Sequence, residues 1–119
     1  MAYRINIPTV IDERGTLAVI DKLLPFEVKR VFYMYNVSKE RGGHRHKKTF
    51  LALICLYGCC TIYTCDGKKE ETFLLDSPNT CLILNPEDWH TMSIFSPNAI
   101  LLVLASTHYD KNDYLCERP

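Results

Sequence analysis

The chain has 119 residues, and 14 Lys plus Arg balance 14 Asp plus Glu, so it is long enough to bury a core yet has no net field to hold a polyanion. That balance excludes binding of nucleic acid or of an anionic membrane through overall charge, and any anionic ligand must be met by local arginines and lysines. The opening stretch MAYRINIPTVIDERG carries Arg4, Asp12 and Glu13 without an apolar core, unlike a signal peptide, and no apolar run reaches the ~18 residues that span a bilayer; a single cytoplasmic domain over residues 1–119 is expected.

Short β-rich runs follow one another along the chain. They are Arg4 to Ile7, Thr16 to Ile20, Lys29 to Val37, Phe50 to Leu56, Cys59 to Cys65, Glu70 to Leu75, Thr80 to Leu84, Thr91 to Phe95 and Ile100 to Ser106. No segment has a helical period. The breaks are turn sequences: Asp66-Gly67 suits a tight hairpin turn through its access to positive φ, and Ser77-Pro78-Asn79, Asn85-Pro86-Glu87-Asp88 and Ser96-Pro97-Asn98 are each stiffened by proline. About nine short strands with short connections describe an all-β sandwich or barrel, and the jelly-roll barrel called a cupin is one solution. The six cysteines lie mostly within apolar runs and form no CxxC, so they read as small buried hydrophobes rather than disulfides.

The chemistry concentrates in RGGHRH, Arg41 to His46. If the chain is extended from His44 onward, His44, His46 and Lys48 share one face, and Arg45, Lys47 and Thr49 share the other. Three readings compete. His44 and His46 could chelate a metal with His90 of PEDWH as a third nitrogen. Metal-binding cupins resemble this, but Phe50 and Leu51 stand where their acidic ligand follows, and Arg41, Arg45, Lys47 and Lys48 would repel a cation. The second reading is a metal-free acid/base site, since imidazole titrates near neutrality. A tyrosine such as Tyr33 or Tyr35 would act as donor there, and arginines would grip an anionic handle. The third is an ordinary solvated loop.

Several segments resemble the sugar-nucleotide 3,4-ketoisomerase family, the WxcM-like cupins that act on dTDP-4-keto-6-deoxyglucose. They are IDERGTL, PFEVKRVFYMYNV, RGGHRHKKT, LYG, LDSPNTCLILNPEDWHTM and VLASTHYDKNDY, in order over almost the whole chain. The resemblance implies a homodimeric cupin that takes a dTDP-linked 4-keto-6-deoxyhexose, needs no metal or other cofactor, and supplies an unusual sugar for a surface glycan. The reaction it implies exchanges the ketone at sugar carbon 4 with the hydroxyl at carbon 3 through an enediol.

Carried over residue by residue, the family motif makes His46 the principal base and His44 a proton shuttle. Tyr33 and Arg41 fall at positions that line the pocket. Arg30 and Arg14 fall where the diphosphate or nucleotide would be held. Lys48, Trp89, His90 and Tyr109 complete the expected substrate-binding set, with Trp89 either stacking on the ligand or plugging the barrel; Asp110 matches the family tail beside Tyr109, with a turn role as its alternative. Arg45, between the histidines, departs from many relatives, and Phe50-Leu51 makes that wall more apolar. The rivals are a related dTDP-sugar epimerase, which needs an acid across the pocket from His46, and a non-catalytic binding module.

Overall fold

The computed structural model describes all 119 residues. The apolar runs form antiparallel strands, named here in chain order: β1 (Tyr3–Asn6), β2 (Thr9–Asp12), β3 (Gly15–Ala18), β4 (Arg30–Tyr35), β5 (Arg41–His46), β6 (Leu51–Tyr57), β7 (Cys60–Cys65), β8 (Glu70–Leu75), β9 (Thr80–Leu84), β10 (Trp89–Ser93), β11 (Ile100–Ala105) and β12 (Tyr114–Leu115). One turn of 3₁₀ helix, Lys111–Asp113, precedes β12. One five-stranded sheet has the order β1-β9-β6-β11-β4, the other β12-β5-β10-β7-β8, and β2-β3 stands apart as a hairpin. Only β7-β8 and β2-β3 join strands adjacent in sequence, which makes this the jelly-roll barrel expected from the sequence.

The two sheets close on one core. From the first sheet come Leu53, Leu82, Leu101 and Val103, and from the second Ile62, Leu75 and Met92. A second cluster lies on the outer face of the first sheet, where Leu23, Leu24 and Phe26 cover Ala52, Ile54, Ile83 and Leu104. Strand β6 is therefore buried on both faces, and its sequence LALIC is continuously apolar, whereas β4 alternates inward and outward residues. Burial of each such Leu or Ile contributes about 1.5–3 kcal/mol before chain entropy is counted.

Three strands lack a counterpart among the sequence-expected runs. β2 is a polar-flanked stretch, Thr9–Asp12, whose Val10 and Ile11 are exposed. β5 is RGGHRH itself, ordered as a strand because β10 and β12 flank it on both sides. β12 has two residues, too few for any periodicity to register. Strand β10 also begins two residues earlier than expected, at Trp89.

The Asp66-Gly67 turn is a hairpin, but Cys65 pairs with Glu70, so the loop has four residues instead of a tight two. Asp66 Oδ1 accepts the backbone N–H groups of Lys68 and Lys69, each at 2.9 Å, which holds the wider loop. All six cysteines are free; Cys55, Cys60, Cys65 and Cys81 are buried, while Cys116 is exposed and departs from the buried reading.

Candidate active site

Strand β5 lies between β10 and β12 in the second sheet, and this order assembles the site. Across β5–β10, His44 pairs with His90; across β5–β12, His46 pairs with Tyr114. The four rings therefore meet on the concave face. His44 stands 5.3 Å from His46, 5.0 Å from His90 and 4.8 Å from Tyr114, between ring centroids. His46 stands 4.6 Å from Tyr114.

The glycine pair makes this register fit. The β5–β10 pairing shifts between His90 and Thr91, so that His90 faces His44 while Thr91 faces Gly42. Gly43 is the extra residue of a bulge. Gly42 and Gly43 have φ of 87° and 82°, in the region that favours glycine. A Cβ on Gly42 would also meet the His90 carbonyl oxygen at 2.9 Å.

His46 is 4 % exposed and carries the most elaborate support. Its Nδ1–H donates to Asp113 Oδ2 at 2.9 Å. Thr49 Oγ1 donates to the same carboxylate oxygen, the Lys48 N–H donates to Oδ1 at 2.9 Å, and Thr107 meets the Thr49 hydroxyl at 2.7 Å. Against the opposing effect of burial, hydrogen bonds from Thr49, His46 and Lys48 hold the Asp113 carboxyl below its ordinary range. An ionised carboxylate only accepts, so the proton of neutral His46 sits on Nδ1. The Nε2 lone pair is left facing inward, buried and without a partner.

His90 is prepared similarly. It is fully buried, and Nδ1–H donates to the Asp88 carbonyl at 3.0 Å, leaving Nε2 unpartnered. The PEDWH turn supports it, with the Asn85 N–H donating to Asp88 Oδ2 at 2.8 Å and the His46 N–H to the Pro86 carbonyl at 2.9 Å. Burial, then the neighbouring imidazoles, push the His90 pKa down to about 3. Burial and His46 push that of His44 down to about 4. Burial also lowers His46, against the raising effect of Asp113. The three rings are neutral at pH 7, which is the state a base requires.

A cavity of about 450 Å³ opens in front of these rings. Its wall includes Phe32, Leu51, Met92 and Val103, and its mouth carries Arg41, Lys111 and Tyr109. Arg30 lies behind: Nη1 donates to the Tyr114 hydroxyl at 3.3 Å, and the guanidinium packs 5.7 Å from the Tyr109 ring centre. Because Arg30 occupies a lone pair of the Tyr114 oxygen, the Tyr114 proton is free to point into the cavity.

Of the residues expected from the sequence, the structure brings His44, His46, His90, Arg41, Tyr33 and Tyr109 to this cavity. Tyr33 reaches its rim only; it is 63 % exposed and its ring stacks on Tyr35 at 6.1 Å. Lys48 is not on the histidine face. The strand ends at His46, the chain turns, and Thr49 points inward in its place. Trp89 is also outside. Successive strand residues point to opposite faces, so His90 inward puts Trp89 outward, where Nε1 donates to the Cys116 carbonyl at 3.1 Å and the ring packs on Arg118. Arg14 pairs with Asp12 at 2.6 Å on the exposed β2–β3 hairpin, away from the cavity lining. Asp110 caps the 3₁₀ turn.

Asp113, Thr49, Tyr114 and Lys111 were not among the expected site residues. For Lys111, Asp113 and Tyr114 the only signal is the tail YDKNDY, which repeats its acidic-aromatic pair, and Thr49 carries none beyond its place after RGGHRHKK.

A metal would find three donors here, since one ligand atom each from His44, His46 and His90 fall within 4.8 Å of one another. No carboxylate completes the set, because Leu51 lines the wall and Asp113 is spent on the far side of His46. The donor set is three neutral nitrogens, which fits a borderline cation better than a hard one.

The family described as FdtA, WxcM-like, C-terminal, matches residues 2–118. The TDP-4-oxo-6-deoxy-alpha-D-glucose-3,4-oxoisomerase of Aneurinibacillus thermoaerophilus is 42% identical over 115 residues, covering 93% of this chain and 83% of that protein. Among solved structures, a 3,4-ketoisomerase from Helicobacter canadensis superposes with a TM-score of 0.93 at 36% identity, covering 98% of this chain and 90% of that one. A histidine-to-asparagine variant of the 3,4-ketoisomerase QdtA from Thermoanaerobacterium thermosaccharolyticum, solved with TDP-4-keto-6-deoxyglucose, gives 0.93 at 36% identity, covering 98% and 87%.

Proposed function

The chain belongs to the FdtA family of WxcM-like C-terminal domains, and from that premise we propose that it is a 3,4-ketoisomerase of a dTDP-linked 4-keto-6-deoxyhexose. One observation carries the reading: the buried His46, locked by Asp113 as its Nδ1–H tautomer, presents an unpartnered Nε2 to a cavity shared with His44 and Tyr114.

His46 Nε2 removes the proton from carbon 3, which the carbon-4 carbonyl acidifies. The electron pair moves into a carbon–carbon double bond and the carbonyl oxygen takes up a proton, giving the enediol. Tyr114 supplies that proton and then takes the one from the carbon-3 hydroxyl, and neutral His44, which carries both an N–H and a lone pair, relays it between the two oxygens. The imidazolium formed at His46, after exchange with solvent, returns a proton to carbon 4, which leaves the ketone at carbon 3 and restores the base. The sum is one C–H and one O–H exchanged between neighbouring carbons, so no redox partner is consumed. Arg41 and Lys111 at the mouth hold the diphosphate, and the Phe32–Val103 wall takes the 6-deoxy carbon.

Arg14 can meet a nucleotide only from outside its own barrel, which supports a homodimer in which the β2–β3 hairpin reaches a second copy. Val10, Ile11 and Leu17, 56 %, 76 % and 61 % exposed, are the surface such a contact would cover. A nucleotide-linked substrate supports a cytoplasmic reaction, in the making of a deoxysugar for a surface glycan. No helix is long and apolar enough to cross a membrane.

The test is incubation with dTDP-4-keto-6-deoxyglucose in deuterated water containing EDTA. A 3-keto product with deuterium at carbon 4 is expected. Inversion with deuterium at carbons 3 and 5 would make the protein an epimerase, and absence of any exchange a binding module.

A further inference from the structure

Strand β12 holds Tyr114 beside the histidines through only two ladder pairs, Tyr114 with His46 and Leu115 with Arg45. A two-residue strand at the edge of a sheet frays unless something ties it down. Its upstream end is tied, because the Lys47 N–H donates to the Asp113 carbonyl at 2.9 Å and the Asp113 carboxylate is held by His46, Lys48 and Thr49. Its downstream end is held from the other side of the sheet. After Leu115 the chain crosses the outer face of the second sheet along one row of outward residues, in which Trp89 pairs with Cys65 and Cys65 with Glu70.

Each step of the crossing has a partner. Trp89 Nε1 on β10 donates to the Cys116 carbonyl at 3.1 Å. The Arg118 guanidinium lies 5.0 Å from the Tyr63 ring centre on β7 and 5.3 Å from that of Trp89. Its Nη2 donates to Glu70 Oε1 on β8 at 2.7 Å and to the Tyr63 hydroxyl. Pro119 reaches the β7–β8 turn, where a Cβ on Gly67 would meet it at 3.3 Å. Beneath this segment Cys65 is buried, although it shares the outward face of Trp89. Arginine suits the place because one flat cation can stack on two rings and still donate at its edge. Each contact alone is modest for an exposed group; together they fix the direction in which the chain leaves β12.

We propose that residues 116–119 form a strap over the outer face of the second sheet and that Arg118 is its lock, a positioning residue that keeps β12, and with it the Tyr114 hydroxyl, seated against His44 and His46. The kinetic half of this inference rests on the proposed function; the seating of β12 does not. Arg118 lies outside the cavity lining and acts on the reaction only through β12. A loosened strap lets Tyr114 drift from the sugar oxygens, and a misplacement of about 1 Å can cost about 10²-fold in rate. The upstream ties to Asp113 are untouched, so His46 keeps its tautomer.

The experiment compares the full chain with Arg118→Ala and Arg118→Lys. In Arg118→Ala, amide hydrogen exchange across the β12–β5 pairing rises while that of the β7–β10 ladder stays as in the wild type. The one tryptophan of the chain is Trp89, and its fluorescence becomes more open to acrylamide quenching. Turnover falls by about 10–100-fold in kcat with dTDP affinity little changed, and imidazole NMR still shows His46 with its proton on Nδ1. Arg118→Lys, which keeps the charge beside Glu70 without the flat face against the rings, lies between the two proteins in exchange and in kcat. Trp89→Phe removes the Cys116 contact independently and loosens β12 in the same way.

Wild-type exchange at β12 in Arg118→Ala or in Trp89→Phe, or faster exchange with unchanged kcat, would overturn the proposal. Equal losses in kcat, in dTDP binding and in the urea midpoint would overturn it too, by making Arg118 a support of the fold at large. A wild-type protein that fails to isomerise removes the proposed function and leaves exchange and quenching to decide the strap.

Discussion

Asp113 Oδ2 accepts the Nδ1–H of His46 at 2.9 Å across 67 positions of sequence, with both side chains buried. The pair makes His46 a base with one usable nitrogen and one direction. Asp113 reaches no cavity-lining position itself, so its role is positioning.

Asp113→Asn is expected to lower kcat by about 10²–10⁴ with little change in dTDP affinity. An amide can donate to Nδ1 and stabilise the opposite tautomer, which turns the lone pair away from the sugar. The check is kcat and KM measured separately, together with the tautomer from imidazole NMR. Equal loss in kcat and in binding would indicate damage to the fold instead.

His46→Asn removes the base and leaves the mouth residues Arg41 and Lys111 in place. Turnover should fall by about 10²–10⁴-fold while calorimetry with dTDP gives near wild-type binding. A variant that turns over normally would move the base to another residue, His44 first.

The pH dependence has a definite sign. Burial lowers the His46 pKa, and a base works deprotonated, so the acid limb of kcat/KM is expected below the ordinary imidazole value of about 6.5. Stability follows the same direction. His90, near 3 when folded and about 6.5 when unfolded, binds more protons in the unfolded state between these values. Its contribution is complete above about 6.5 and is lost as pH falls toward 3, at no more than about 1.4 kcal/mol per unit. Asp113, held low in the fold, adds a further loss as pH falls through the carboxylate range. Urea midpoints at about pH 7 and about pH 5 measure this, and His90→Gln should flatten the difference.

Gly42→Ala should cost about 1–3 kcal/mol. The residue sits at φ 87°, and its new Cβ would press on the His90 carbonyl oxygen. Because the strain falls on the His44–His90 register, kcat should drop as well. Urea unfolding and kcat on the same preparation test both; a variant with wild-type stability would show that the bulge accommodates a side chain.

What was legible in the sequence was what repeats along it. Alternation and turn residues gave the β-barrel, and parity in His44-Arg45-His46 placed both histidines inward. The same parity governs Trp89-His90: two adjacent strand residues cannot both face the ligand. Lys48 failed for a different reason, since parity holds only while the strand lasts, and β5 stops at His46. Asp113 and Tyr114 were out of reach because they join the site through a two-residue strand far from RGGHRH in sequence. Nothing in the sequence favours Tyr114 over Tyr33 as the donor; the tyrosine beside the histidines is Tyr114.

The long separation of His46 from Asp113 also sets an order in time. At roughly 5–20 residues per second of synthesis, the 67 positions between them take roughly 3–13 s to add, during which His46 exists without the carboxylate that selects its proton. Catalytic competence thus cannot precede the addition of Asp113, however early the strand that carries His46 is made.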